Sequence, residues 1–404
     1  MLKNVLKVIF LIMIVGIVLL SGCSPKILNE NRYIKGEDSQ FYYYCSADAQ
    51  PMAESEKGYY FFSGDYLYCA DKSNMTPVIV CDKPNCLHDE ETDSTKRLYC
   101  NAFFQGAKSL FYYKGSLYIF VTRTTTTSES ELLKVSLDGT KRKSLFKVDG
   151  IISAAALHRG TVYYAAQVWD ADGQSTVCVN AAKLNGRSKE IYKDKFVFGN
   201  VSDILCYGNY VYMDSFDFTE KGNLDRTVRY NTVTGETKVL FDNPVLVSTG
   251  IPSFINDKMY FRKTKLKFPE MSLENQEAFI ADIDGNNIKS SFDPGFPVGV
   301  NSDGQYLYAH DVEWSPFSKP AEEQRLTLYT IDGKVVDSIP TGSFGSIQSI
   351  IPGGKDHMFL QQLDNNFFTI YYTDKSQIST GKMQWKLLFK IEQGKMRPTI
   401  KSTS

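Results

Sequence analysis

The sequence has little of what would assign it to a class at once. It has almost no excess charge: 45 Lys and Arg stand against 46 Asp and Glu, mixed along the chain, for a net charge of −1. A nucleic-acid surface needs a basic patch to neutralise phosphates, so no nucleic-acid partner is expected. The one tight basic run, Lys141-Arg142-Lys143, reads as a solvated turn. No stretch of useful length repeats its apolar residues at the helical period, which argues against a helical or mixed fold. Histidine is scarce, with four in all. No Ser-His-Asp order, H-E-x-x-H or paired-carboxylate motif appears, so neither a catalytic constellation nor a cofactor is expected. The apolar run at the N-terminus, residues 8–20, is too short to span a bilayer comfortably.

What is present begins with that run. Lys3 and Lys7 precede it, and the whole reads as an export signal rather than a membrane helix. It ends in Leu20-Ser21-Gly22-Cys23, which resembles the lipobox of bacterial lipoproteins. The resemblance implies that residues 1–22 are a signal peptide and that Cys23 is acylated on its sulfur and starts the mature chain. Each buried methylene of such an anchor contributes about 0.8 kcal/mol, and several chains on one residue hold firmly. The expected location is the cell membrane, lipid-anchored on the extracytoplasmic side.

Aromatic residues set the fold. The 25 Tyr and 26 Phe sit in short alternating runs such as KSLFYYKGSLYIF, HRGTVYYAAQ, YGNYVYMDSF, INDKMYFRK and SDGQYLYAHD. Each reads as strand, tight turn, strand, and each is followed by a second hairpin. The turns of those second hairpins carry Gly139, Gly186, Gly235, Gly285 and Gly333, and Gly381 continues the series at intervals of about 48 residues. Asp-Gly and Asn-Gly favour two-residue hairpin turns because both positions need positive φ. Four strands per 48 residues is the mark of a β-propeller blade. An earlier hairpin, KGYYFFSGDYLYCADKSNMTPVIVC, supplies a further blade with its turn near Asn74. The expected fold is therefore all-β: a β-propeller of seven four-stranded blades, with six or eight as alternatives. FYYYCSADA (41–49) reads as either the innermost strand of the first blade or the strand that completes the last.

The lipobox, the aromatic repeats and a C-x4-C-x-H…C-N-A segment together resemble a group of Gram-positive, mainly clostridial, propeller lipoproteins. That resemblance implies location and fold and adds no activity. The expected organisation is a signal peptide (1–22), a lipidated cysteine and flexible stalk (23–40), a propeller (41–391) with a cysteine-rich insert (81–101), and a polar tail (392–404).

Let a to d name the strands of a blade from the axis outwards. The a–b turns are short (Lys114-Gly115, Arg159-Gly160, Asn256-Asp257), whereas the b–c connections are long: TRTTTTSES, VWDADGQS, SFDFTEKGNLDR, KTKLKFPEMSLENQ and HDVEWSPFSKPAEEQ. The b–c and d–a connections share one face, so the elaboration falls there. Long loops cost ordering entropy and commonly carry function. The expected binding face comprises Trp169, Asp172, Phe216, Phe218, Phe268, Trp314 and Phe317. Aromatic anchors in a polar rim suit a protein partner or a cell-wall glycan. WDADGQ has part of a calcium-loop pattern but lacks the remaining ligands.

Three cysteines and a histidine fall within residues 81–100, in a chain with eight cysteines. Exported proteins generally use cysteines as staples. On that reading Cys86–Cys100 closes a polar loop, worth about 3 kcal/mol in chain-entropy terms, and Cys81 pairs with Cys69 or Cys45. Cys81, Cys86, His88 and Cys100 also have the count and type of zinc ligands, without the C-x2-C knuckle that makes zinc signatures specific. Free thiols remain a third reading, and Cys178 and Cys206 read as buried apolar residues. An enzyme, a propeller hydrolase or lyase, is the alternative to a binding module. His158 and Asp203 are its best titratable candidates on innermost strands, and His310 and His357 fall on the next strands outward.

Overall fold

The computed structural model describes residues 30–42, 52–124, 128–171, 173–267, 272–295, 299–310, 320–344, 347–363 and 367–392. Cys23, Cys45, Asp172, Phe268, Trp314 and Phe317 lie outside these residues. The described chain is almost wholly strand. Helix is confined to one turn (Ser94–Arg97) and four three-residue 3-10 turns.

The strands form seven antiparallel sheets in succession along the chain, 52–79, 107–149, 151–196, 200–242, 247–290, 299–340 and 347–392. These are the seven blades of a β-propeller. The paired aromatics follow from the stacking of blades face to face, which buries both sides of an inner strand. In blade 3, Tyr163 packs into the core shared with blade 4, and its neighbour Tyr164 into the core shared with blade 2. Exposure rises at the rim, as in the outer strand Arg142–Asp149, where most residues are exposed.

The a–b turns have positive φ at Lys114 and Gly115, Arg159 and Gly160, and Asn256 and Asp257, as tight hairpin turns require. Three of the c–d glycines, Gly139, Gly285 and Gly333, have a second constraint. Each of these turns reaches the outer edge of the preceding blade, and a Cβ on Gly333 would meet Phe292 Cγ at 2.5 Å.

Around the axis, side chains of one innermost strand bond the backbone of the next. Ser153 donates to the Val201 carbonyl at 2.8 Å, Ser253 to Val300 at 2.7 Å, and Asn301 to Ile350 at 3.0 Å. In blade 5 the innermost strand is broken into Val247–Ser248 and Ser253–Ile255, both pairing with Lys258–Lys267.

Blade 1 takes its innermost strand from Met52–Glu54, and blade 7 draws all four of its strands from 347–392. Neither uses residues 41 and 42, and 43–49 lie outside the described residues. The two blades meet through side chains. Glu54 accepts from Lys72 Nζ at 2.5 Å and from the Gly354 N–H at 2.8 Å, and Tyr59 packs on Phe359 with ring centres 4.7 Å apart.

Candidate recognition face, axial cavities and cysteine cluster

The face carrying the b–c connections differs from a set of loops. In blade 4 the strands Tyr210–Thr219 and Gly222–Asn231 stay paired to Thr219↔Gly222, leaving only Glu220 and Lys221 at the tip. In blade 3 pairing continues to Trp169↔Ser175, and in blade 5 to Lys267↔Ser272. These stretches were expected as loops because they are polar. Their polarity is instead that of two-stranded ribbons, with Lys263, Lys265 and Lys267 exposed on one side and charge pairs between strands such as Lys265–Glu274 at 2.8 Å.

Two of these ribbons put aromatic residues into solvent. Trp169 is 48% exposed, Phe218 48% and Phe198 76%, with Val168 and Val197 also exposed. The Asp217 carboxylate accepts from the Val197 and Phe198 N–H groups at 3.1 and 2.9 Å, tying the blade 3–4 connection to the blade 4 ribbon. Phe216 sits edge-on to Phe218, ring centres 5.2 Å apart. Gln167 and Ser175 both donate to the Gly199 carbonyl and fix the same connection to blade 3. Of the residues expected on this face, the structure therefore joins Trp169, Phe216 and Phe218, and adds Phe198. The FVFGN run that holds Phe198 reads as an ordinary outer strand, so only its d–a position marks it.

The opposite, a–b-turn end is covered by residues 31–42, so the expected stalk is docked from Asn31 onwards. Asp38 has no exposed side-chain surface, and its carboxylate takes Arg159 Nε at 2.6 Å. The Ser39 N–H donates to His158 Nδ1 at 3.2 Å, while the other ring nitrogen lies 2.9 Å from the Gly208 carbonyl. With both nitrogens engaged and burial pulling its pKa down to about 4, His158 is a neutral core residue. His357 lies 3.0 Å from the Tyr59 hydroxyl at the blade 1–7 junction. Phe41 closes the segment against Tyr207, ring centres 5.5 Å apart.

Two cavities adjoin this segment. One of about 860 Å3 lies beside Lys35, Glu54, Lys72, Asp356 and Lys375. The other, about 280 Å3, opens where the innermost strand of blade 5 is broken, and is lined by Phe41, Asp203, Asp214, Arg262 and Asn301. Asp203 and Asp214 face each other across paired strands, and each has a buried Oδ1 without a hydrogen-bond partner. Burial pushes Asp203 up to about 7. Burial, reinforced by the Asp225 and Asp203 carboxylates, holds Asp214 well above the usual carboxylate range. A pair so placed keeps a proton near neutrality and can donate or accept one.

The six described cysteines, Cys69, Cys81, Cys86, Cys100, Cys178 and Cys206, form no disulfide with one another. Cys69 packs into the blade 1–2 core and Cys81 against the blade 7–1 core, so the two lie on opposite sides of their sheet. Cys206 is buried and Cys178 half-buried. Cys81, Cys86, His88 and Cys100 come together, with their potential ligand atoms all within 4.8 Å of one another. Arg142, expected in a solvated turn, serves this segment: its guanidinium donates to the Phe103 carbonyl at 2.8 Å and the Cys100 carbonyl at 3.2 Å, and stacks on Phe104.

No family model matches the chain, and no curated protein matches it. Solved structures do. An oligogalacturonate lyase from Vibrio parahaemolyticus superposes with a TM-score of 0.53 at 11% identity, covering 84% of this chain and 90% of that one. A structure of prolyl endopeptidases gives 0.53 at 11% identity over 86% of this chain; this chain spans 50% of the length of that one. The β-propeller domain of the Trilobed protease from Pyrococcus furiosus, which has an open velcro topology, gives 0.50 at 14% identity over 70% and 83% of the two chains. At these identities the likeness is one of fold: the chain is similar to the propellers of peptidases and of a lyase.

Proposed function

We propose that this chain is an extracytoplasmic, lipid-anchored binding propeller that recognises a protein partner or a cell-wall glycan through the ribbon-bearing end of blades 3 and 4. One observation carries the reading: Trp169 and Phe218 stand in solvent on hydrogen-bonded ribbons, and Phe198 beside Val197 in the connection that Asp217 ties to them. Rigid aromatic anchors lose little entropy on binding, and exposed apolar groups of this kind mark interaction sites. The Leu20-Ser21-Gly22-Cys23 pattern supports the anchor. The propeller unit begins at Asn31, whose side chain accepts from the Asn209 N–H in an a–b turn.

The test is capture from crosslinked native membranes with the anchored protein and a Trp169→Ala, Phe198→Ala double variant, alongside sedimentation with purified cell wall. A protein or wall fraction retained by the wild type and lost by the variant is expected. Equal retention by both removes the face from the account.

The enzyme reading rests on the 280 Å3 cavity and its Asp203–Asp214 pair. Turnover of an ester, peptide or glycoside panel, abolished by Asp214→Asn, would replace the binding reading.

A further inference from the structure

The insert between blades 1 and 2 has chemistry that the recognition face does not use. Blade 1 has an outer strand of three residues, Pro77–Ile79. The end of the insert extends that edge: the Leu67 N–H donates to the Ala102 carbonyl at 2.9 Å, Tyr66 bridges to Phe103, and the Phe104 N–H donates to Asp65 at 2.7 Å. Between Cys81 and Cys100 little else holds the chain. Its one helical turn buries nothing, and Leu87, Leu98 and Tyr99 are exposed. A coreless loop of this length needs a fixed point, and the four ligand residues sit where one would be.

Their geometry fits a metal better than a staple. Four ligands of a tetrahedral Cys3His zinc site stand about 3.8 Å apart between sulfurs and about 3.6 Å between sulfur and nitrogen. All four ligand atoms here lie within 4.8 Å, and Cys100 Sγ is 3.7 Å from His88 Nδ1. A disulfide would join two sulfurs at about 2 Å and leave the third cysteine and His88 without a role. The backbone around the cluster is shaped to the same end. His88 and Asn85 hold φ of 51° and 60°, a region side-chain-bearing residues avoid unless the surroundings demand it. Tyr66 Oη donates to the His88 carbonyl at 2.9 Å and secures that turn.

The second layer suits thiolates. The Ala102 N–H donates to Cys100 Sγ at 3.4 Å. Three thiolates around a dication leave one negative charge, and the Arg142 guanidinium lies against the carbonyls beside it. A surface groove of about 270 Å3, lined by Pro84, Leu87, Arg97 and Tyr99, reaches Cys86, His88 and Cys100 and gives an ion a way in.

We propose that Cys81, Cys86, His88 and Cys100 bind one zinc ion, which pins the insert to the rim of blade 1. All four positions come from the protein, so the ion is structural and offers no open site for catalysis. Binding forms three zinc–sulfur bonds and one zinc–nitrogen bond, and the thiol protons pass to water. The site is independent of the recognition face.

Metal content of the full-length protein, purified from membranes without chelator, tests this. One zinc per chain is expected, retained in Cys178→Ser and lost in Cys86→Ser and His88→Ala. Because those variants could misfold, the wild type is also stripped by chelator and titrated with cobalt(II). The intense absorption of tetrahedral, thiolate-bound cobalt should appear and saturate at one equivalent. Less than a tenth of an equivalent of zinc together with no cobalt band would overturn the proposal. So would a native Cys86–Cys100 disulfide found by peptide mass.

Discussion

Asp38 and Arg159 are 121 positions apart in sequence and 2.6 Å apart in the fold. Removing one partner of a buried ion pair leaves the other desolvated and alone, at a cost of about 3–5 kcal/mol. Arg159→Ala should therefore lower the unfolding free energy from urea titration by that amount and free residues 31–42 to proteolysis. Asp203 contributes the opposite kind of effect. Its carboxyl is pushed up to about 7, so between about pH 4 and pH 7 the folded chain keeps a proton that the unfolded chain has lost. Stability then falls as pH rises through that window, by at most about 1.4 kcal/mol per pH unit. His158 works the other way: lowered to about 4, it refuses a proton that the unfolded chain takes below about pH 6.5, so its share of stability falls as pH drops. Comparing Asp203→Asn with wild type cancels the histidine. The variant should be the more stable at pH 8, with the advantage gone by pH 4; identical melting at both pH values would contradict the shift.

At the scale of elements, the c–d turns join conformation to packing. Gly333→Ala must hold φ near 86° and fit a methyl against Phe292. Gly173→Ala, at φ 79° with open space around it, meets only the first demand. The Gly333 variant should lose about 1–3 kcal/mol more in thermal unfolding, and an equal loss in both would remove the packing argument. These glycines were legible in sequence because a tight turn admits few residues; their spacing marked six blades, and the hairpin turning near Asn74 marked the seventh. The extended ribbons were not legible as strands. KTKLK does alternate, with Thr264 and Leu266 half-buried between exposed lysines, but one apolar residue in five does not mark a strand, and SFDFT is buried only at Ser215. Docking of residues 31–42 was hidden for another reason: Asp38, Ser39 and Gln40 read as polar linker until Arg159, His158 and Glu54 are placed opposite them. The broken strand of blade 5 shows only as Gly250 and Pro252, which also occur in plain turns. The cysteine cluster was legible as a cluster, while its convergence depends on the bend at Asn85 and His88 that spacing does not reveal.

For the whole molecule, the first and last blades share no strand among the described residues, and side chains close the ring. Lys72 holds both Glu54 of blade 1 and Asp356 of blade 7, at 2.5 and 2.9 Å. Lys72→Ala should therefore destabilise the blade 1–7 junction selectively, seen as faster hydrogen exchange in 52–79 and 347–392 than in 151–242; uniform acceleration would contradict a local seam. The ring leaves two unlike ends, one covered by the N-terminal segment and one bearing the aromatic ribbons, and the central claim is that the second end binds. A photo-crosslinking residue placed at Phe198 and at Phe218 in the anchored protein tests it most directly, with Val335 on the outer strand of blade 6 as the control. Adducts with a common partner from the first two positions and none from the third are expected. Equal adducts at all three positions, or adducts from Val335 alone, would contradict it.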